Sequence, residues 1–251
     1  MAPLDALAIF AAGLAAGTIN TVVGSGSLIT FPTLLALGYP PVLANVSNNI
    51  GLVPGSISGV VGYRRELRSQ RQRIARLAVG SLTGGLLGAV LLLVLPGSVF
   101  RTIVPVLILV ACGLVVIQPR LTQRLAQGRG DEAPRVGAAL MGAVFFTGVY
   151  GGYFGAAQGV ILITLLAIFL EDDLQRLNAT KNVLALLVNG VASVVFVLVT
   201  RVDWAVVALI AAGSILGGQL GATVGRRLPG PVLRGVILIV GLGAAIRLIA
   251  G

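Results

Sequence analysis

The sequence predicts an all-α integral membrane protein built from two repeats, and two observations carry this prediction. Of its 251 residues, 57% are hydrophobic and only 10% are charged, and the mean hydropathy is +1.01. Soluble domains carry about 25% charged residues, so an ordinary soluble fold is excluded. The second observation is an internal repeat: residues 80–89 read GSLTGGLLGA, and 133 positions later residues 213–222 read GSILGGQLGA. Two copies inside long apolar runs are typical of membrane proteins made from two related bundles.

Ten apolar runs predict about eight to ten membrane-embedded segments. They cover residues 4–23, 27–38, 42–62, 77–95, 99–117, 136–155, 157–170, 178–199, 204–224 and 232–250. Most approach the ~20 residues that cross a hydrocarbon core, but 27–38 and 157–170 are short. These two short runs either cross the bilayer or re-enter it.

The order of the runs divides the chain into three parts. A first membrane repeat covers residues 1–118, a basic linker covers 119–135, and a second membrane repeat covers 136–251. The first run has neither a basic leader nor a small-residue cleavage site, so we interpret it as part of the mature chain.

The distribution of arginine predicts orientation. The connection 63–76 carries six arginines against one glutamate, whereas its counterpart 200–204 holds one arginine and one aspartate. Because basic connections stay in the cytoplasm, the first connection and the linker are predicted to be cytoplasmic and the counterpart to lie outside. Equivalent connections on opposite sides predict inverted-topology repeats with both termini outside, and a parallel duplication is the alternative. The net charge of +10 therefore reflects orientation, and we predict no nucleic-acid partner.

Glycine-rich breaks interrupt the first run of each repeat, at residues 17–27 and 148–159. Each glycine costs about 0.8 to 1 kcal/mol in a helix interior, so neither segment favours a continuous helix. Broken backbone at membrane depth is tolerated where it is buried in protein or lines a cavity. The short run after each break would present a helix N-terminus, whose N–H groups suit an anion. The alternative is that these glycines serve close packing alone.

A second shared motif, N-[VA]-[ST]-x-N, occupies residues 45–49 and 178–182. Together with Ser56 in one copy and Asn189 in the other, its asparagines lie within ~40° on one helical face over about 16 Å. Each repeat thus has a polar stripe that either contacts a ligand or forms interhelical hydrogen bonds. The only lysine, Lys181, lies in this motif, either as the partner of an anion or extending to the interface.

Two other patterns have structural interpretations. The glycines at 80, 84 and 88, repeated at 213, 217 and 221, predict helices that pack closely, and the pseudo-two-fold axis that relates the repeats would place them against each other. The acidic residues 171–173 have no counterpart in the first repeat and predict a solvated loop.

Missing residue types exclude several functions. The chain has no histidine and one cysteine, Cys112, so neither a metal site nor an internal disulfide is predicted. All eight acidic residues fall in connections or near termini, which disfavours a proton relay. No nucleotide-binding motif and no paired nucleophile and base occur in the apolar runs, so we predict neither a cofactor nor an enzyme.

The glycine-rich breaks, the proline after the first and the paired asparagine motifs resemble the sulfite exporter TauE/SafE family over nearly the whole chain. Its glycine-rich motif falls on Gly17, Asn20, Gly24, Gly26 and Pro32, and again on Gly148, Gly151, Gly152, Gly155 and Gly159. The second copy lacks the proline, so the two half-sites differ. The resemblance implies a bacterial or archaeal inner-membrane permease for sulfite, sulfoacetate or related anions.

Together these features predict a permease that exports small anions, sulfite or organosulfonates, by alternating access. The alternatives are a non-transporting scaffold or subunit and an anion channel. The predicted partners are the small anion and the lipid bilayer, and a homo-oligomer remains open. The predicted substrate-binding residues are Asn20, Gly24, Ser25, Gly26, Ser27, Asn45, Ser47, Asn49, Gly152, Gly155, Gln158, Asn178, Thr180, Lys181 and Asn182.

Overall fold

The structure, a computed structural model, describes residues 1–127, 136–224, 235, 237–243 and 245–246. Within these residues all regular secondary structure is helical, as the composition predicts.

Five helices form the first half: α1 (Pro3–Val22), α2 (Ser27–Ala36), α3 (Pro41–Gly62), α4 (Arg71–Val94) and α5 (Gly97–Gln127). The described part of the second half contains α6 (Ala138–Tyr153), α7 (Gln158–Phe169), α8 (Leu174–Val199) and α9 (Trp204–Thr223), and residues 237–243 are also helical. The offset of 133 residues superposes α1–α4 on α6–α9 in order.

Local sequence explains where these helices begin. Proline occupies the first turn of both α1 and α3, where its fixed φ suits a helix and its missing N–H is not needed. Asp173 caps α8 by accepting from the N–H of Gln175, and Asp203 caps α9 in the same way. One boundary differs from prediction: α5 is helical to Gln127, ten residues past position 117 and inside the predicted linker, whose residues 128–135 lie outside the described residues.

Within the described ranges, five helices are long and apolar enough to cross a membrane. They are Pro3–Val22, Arg71–Val94, Gly97–Ile117, Leu174–Val199 and Trp204–Thr223. Large apolar side chains are exposed on their outer faces, for example Val94 and Leu198, which are 73% and 78% exposed. Contiguous apolar surface of this kind is stable against lipid and unstable in water. The chain is therefore an all-α integral membrane protein.

Each half contains a four-helix unit, α1–α4 or α6–α9, and the two units pack against each other reciprocally. Helix α4 packs on α6 and α9 packs on α1, so the first helix of each half lies against the fourth helix of the other. This corrects the expectation that the glycine-rich faces of α4 and α9 meet each other. The reason is that α1 and α6 carry glycines of their own, such as Gly17 and Gly148, and these let the two backbones approach.

Pairs of contacting residues give the helix directions. Gly13 lies against Ile210 and Gly17 against Ser214, so α1 and α9 run parallel.

The equivalent helices α3 and α8 run antiparallel. Asn49, near the start of α3, accepts a hydrogen bond from Ser193 near the end of α8 at 2.8 Å. The Tyr63 hydroxyl, just past the end of α3, accepts one from Asn178 near the start of α8 at 2.8 Å.

Each short helix forms the second arm of a hairpin. The Tyr39 hydroxyl, after α2, lies 3.9 Å from the sulfur of Met1, so α2 returns to the side where α1 begins. Leu140 at the start of α6 and Leu170 just after α7 share one buried cluster. The segments predicted as short runs therefore double back after each break.

The close packing of α1 on α9 gives a first prediction, on the substitution Gly217→Val. A side-chain carbon at Gly217 would lie 2.9 Å from the backbone nitrogen of Thr18 and closer still to the carbonyl of Leu14, so α1 and α9 would have to separate. We expect a loss of about 3 kcal/mol, measured as reduced thermal stability of the purified protein in detergent.

The control is Gly142→Ala, on α6, where an added carbon meets nothing within 4 Å. This variant should be neutral or stabilising by up to about 1 kcal/mol, because alanine in a helix interior is more stable than glycine. Equal stability of the two variants would contradict this packing.

Candidate functional site

The two glycine-rich breaks meet inside the protein at one backbone contact, which we call the glycine crossing (Gly24 and Gly159). The N–H of Gly159 donates to the carbonyl of Gly24 at 3.0 Å. A side-chain carbon on either glycine would lie 2.5 Å from the Cα of the other. Gly24 also has φ +90°, which L side chains rarely adopt. Glycine is therefore required at both positions, and the crossing joins one half to the other.

Two helix N-termini begin beside the crossing. Helix α2 starts at Ser27 and α7 starts at Gln158. Ser25 and Gln158, which are equivalent in the repeat, are 1% and 3% exposed. Within the described residues, the hydroxyl oxygen of Ser25 and the amide oxygen of Gln158 have no hydrogen-bond partner. Buried polar atoms are rarely left unpaired, so these two positions are suited to a polar ligand.

The other predicted residues of these breaks shape the backbone. Gly26 has room for no side chain, since a carbon there would contact the carbonyl of Ala16. The Ser27 hydroxyl accepts from the amide of Asn48 at 3.2 Å. Gly155 has φ +77° and turns the chain after α6. Gly152 instead packs on the backbone of α4, which is the close-packing alternative given for these glycines.

Helix α8 caps the broken end of α1. The ammonium of Lys181 donates to the carbonyls of Asn20 at 3.1 Å and Thr21 at 3.4 Å. The side-chain amides of Asn178 and Asn182 donate to the same Thr21 carbonyl at 3.1 and 3.2 Å. The last carbonyls of a helix lack partners within it and carry partial negative charge, so a cation and two amides stabilise this end.

These contacts argue against one of the two interpretations of Lys181, in which its side chain extends to the membrane interface. Its side chain is completely buried, and its ammonium bonds to carbonyls in the interior instead of extending to a membrane interface. The first alternative, contact with an anion, stays a prediction.

Helix α3 caps the broken end of α6 by equivalent but uncharged chemistry. Asn45, the counterpart of Asn178, donates to the carbonyl of Tyr153 at 3.1 Å. Asn48, the counterpart of Lys181, turns away to Ser27 and also accepts from the Thr30 hydroxyl. Among the described residues, α8 thus caps the end of α1 with three side chains that include a cation, and α3 caps the end of α6 with one amide.

The polar stripes form interhelical hydrogen bonds. Asn49 accepts from Ser193 across α3 and α8, and the Asn20 amide donates to the Ser56 hydroxyl at 3.5 Å. These contacts match the structural interpretation of the stripes; the Asn49 bond joins the two halves, and the Asn20 bond joins α1 to α3 within the first half.

Two predicted residues lie away from the crossing. The Thr180 hydroxyl donates to the Gln70 side chain at 2.8 Å. Ser47 is fully buried, and its hydroxyl has no partner among the residues the structure describes.

A group that sequence reasoning missed surrounds Thr180, and we call it the polar clasp (Gln70, Arg73, Asp172, Arg176 and Thr180). Gln70 is 2% exposed; its amide nitrogen donates to the carbonyl of Arg176 at 3.1 Å, and its oxygen accepts from Arg73 at 3.0 Å. Asp172 pairs with Arg73 at 2.6 Å and with Arg176 at 2.7 Å.

The polar clasp corrects the solvated-loop prediction at Asp172, whereas Glu171 and Asp173 are exposed as predicted. Asp172 is 12% exposed and bridges two arginines, one from each half of the chain. The spacing of Asp172 and Arg176 by four residues was the available signal, but the decisive partner, Arg73, lies 99 residues away.

Fold and site together define a class: a polytopic α-helical membrane protein in which two broken helices, one from each half, meet in the interior. The chain belongs to the sulfite exporter TauE/SafE family, whose sequence model matches residues 9–248.

Similar proteins are named as membrane transporters. The "Probable membrane transporter protein" of Haemophilus influenzae is 30% identical over 237 residues, which cover 92% of this chain and 91% of that one. Escherichia coli K12 "Probable membrane transporter protein YfcA" is 30% identical over 251 residues, 96% and 88% of the two chains. A Sinorhizobium relative, "Probable membrane transporter protein ORF9", is 28% identical over 244 residues, 96% and 91% of the two chains. No solved structure matches significantly. The chain is thus a multi-pass membrane transporter of a bacterial family.

The caps give a second prediction, on Lys181→Met. This change keeps the length of the side chain and removes both bonds to α1, so we expect a loss of stability of about 2 kcal/mol. Thermal unfolding in detergent without added anions measures it. Arg201→Gln, which removes an exposed charge from a connection, should unfold like the unaltered protein. If Lys181→Met also unfolds like the unaltered protein, Lys181 does not act as a cap.

Proposed function

We propose that this protein exports small anions, sulfite or organosulfonates, across the bacterial inner membrane by alternating access. The observation that carries the proposal is the pair of buried N-termini at the glycine crossing. The Ser25 hydroxyl can donate to an anion there, and the positive dipole ends of α2 and α7 favour negative charge. The Gln158 amide nitrogen, now 3.4 Å from the carbonyl of Ala185, offers a second donor.

The hydroxyl and amide groups of this site favour reversible binding of an anion, as transport requires, over tight binding. Hydroxyl and amide groups exchange for the water around an ion without holding it by a full opposite charge. The neighbouring cation, Lys181, is engaged by the end of α1. An inside-negative potential expels a monovalent anion by about 2.3 kcal/mol per 100 mV, which is sufficient to drive export.

Helix directions support inverted-topology repeats as the basis of alternating access. The equivalent helices α3 and α8 are antiparallel, which favours inverted over parallel duplication. The glycine crossing lies where both halves contribute, so rocking one half against the other would expose it to one side at a time.

The polar clasp supplies a closure on one side only. At the positions equivalent to Gln70, Arg73 and Asp172, the other side has Asp203, Val206 and Tyr39. Asp203 caps its own helix by accepting from Ala205 and Val206. We assign the clasp to the cytoplasmic side because it includes the arginine-rich connection 63–76. This conformation is then closed toward the cytoplasm, and export requires the clasp to open.

The third prediction tests the site by flux of labelled sulfite, sulfonates and carboxylates through proteoliposomes of the purified chain at imposed potentials. We expect saturable flux with counterflow that follows the potential. Ser25→Ala should lower the initial rate about ten-fold, because a hydrogen bond to a charged group is lost.

The matched control is Ser81→Ala on α4, because Ser81 is also buried and its hydroxyl has no partner in the described part of the chain. It should keep the unaltered rate, and an equal loss in both variants would contradict the site. No flux for any anion from folded protein would support a scaffold or subunit, and flux without saturation or counterflow would support a channel.

The fourth prediction tests the clasp. In a Cys112→Ala background, a cysteine introduced by Thr180→Cys should react slowly with an impermeant maleimide applied from the cytoplasmic side, because position 180 is fully buried. Asp172→Asn should speed the reaction about five-fold, since it removes the charge that pairs with Arg73 and Arg176.

The neighbouring Glu171→Gln, at an exposed position, removes the same charge and should leave the rate unchanged. Equal rates in the two variants would exclude a gating role for Asp172.

A further inference from the structure

A polar cavity of about 320 Å³ opens between the ends of α3 and α9, away from the glycine crossing. Its lining is formed by Val61, Gly62, Arg64, Arg65, Glu66, Gln219 and Thr223. Two guanidinium groups and one carboxylate give this lining a net positive charge.

The cavity is held open by contacts between the two helices. The Gln219 amide nitrogen donates to the carbonyl of Ser58 at 3.0 Å and to its hydroxyl at 2.9 Å, which fixes the Gln219 side chain across the groove. Arg64 and Arg65 follow the end of α3 directly and are exposed. Two basic side chains thus stand at the rim of a preformed groove.

Exposed apolar side chains continue from the cavity toward the middle of both helices. Ile57 and Val61 on α3 are 49% and 47% exposed, and Leu216 and Leu220 on α9 are 53% and 45% exposed. A ligand in this groove therefore meets charge at the helix ends and hydrocarbon along the helices.

Comparison of the two repeats shows that the helices can pack without polar residues at the positions that line the cavity. The residues at the positions equivalent to Arg64, Arg65, Glu66, Gln219 and Thr223 are Val197, Leu198, Val199, Leu86 and Val90. All five counterparts are apolar, although α4 and α8 pack together as α9 and α3 do. The polar residues are thus a specific feature of one side of the molecule.

We infer that this groove binds an acidic phospholipid, with the phosphate headgroup against Arg64 and Arg65 and the acyl chains along Ile57, Val61, Leu216 and Leu220. The positive lining complements the phosphate, and the apolar strip matches the tails. The groove adjoins the arginine-rich connection, and basic pockets between helices at the cytoplasmic leaflet bind acidic headgroups. This inference does not depend on which solute is transported.

Native mass spectrometry of the full chain, titrated with phosphatidylglycerol or phosphatidylcholine of identical acyl chains, tests the inference. We expect a clear preference for phosphatidylglycerol. Arg64→Gln with Arg65→Gln should weaken that binding about 30-fold, since each basic side chain at a membrane surface contributes about five-fold. Arg64→Gln alone should give an intermediate loss.

The control pair is Arg68→Gln with Arg71→Gln, which removes the same charge from exposed positions of the same connection outside the cavity. It should keep the phosphatidylglycerol preference. Thermal unfolding without lipid should be equal in all variants, which excludes misfolding as the cause of a loss.

Three results would overturn the inference. Equal binding of the two lipids would remove the role of headgroup charge. An equal loss in the control pair would move recognition to the general charge of the connection. Displacement of phosphatidylglycerol by inorganic phosphate at comparable concentration would make the cavity a site for a free anion.

Discussion

The contact between Gly24 and Gly159 is the constraint on which the rest of the structure depends. Backbone that leaves the helical form inside a membrane must satisfy its polar groups within the protein, and here each break supplies a partner for the other. The crossing ends α1 and α6 in the interior, so both ends need caps. Helices α8 and α3 provide those caps from across the molecule, and this requirement fixes which helices can be neighbours.

A backbone repeated in two copies carries different chemistry at equivalent positions. Lys181 and Asn48 occupy the same place in the repeat, yet one seals the end of α1 and the other bonds to the start of α2. Asp172 pairs with Arg73 and Arg176, whereas the positions equivalent to Arg73 and Asp172 hold Val206 and Tyr39. Equivalent helices of the two halves are therefore held in place by different contacts.

Hydropathy and glycine spacing were sufficient to predict the helices and the breaks between them, because both depend on local sequence. The sequence also pointed to Ser25 and Gln158 through the glycines around them. It could not show that Lys181 faces the carbonyls of Asn20 and Thr21, since that contact joins residues 160 positions apart. The pairing of Asp172 with Arg73 could not be predicted for the same reason. A run of acidic residues in a connection normally predicts side chains exposed to solvent.

The exchange of partners between the halves has a consequence for biogenesis. Helix α4 is synthesised before α6, and α1 well before α9, so the first half enters the membrane with the surfaces that receive its partners uncovered. Neither four-helix unit completes its own packing, and the final core forms only when the second half arrives. A first half inserted alone therefore leaves the glycine faces of α1 and α4 without the helices that cover them in the complete chain.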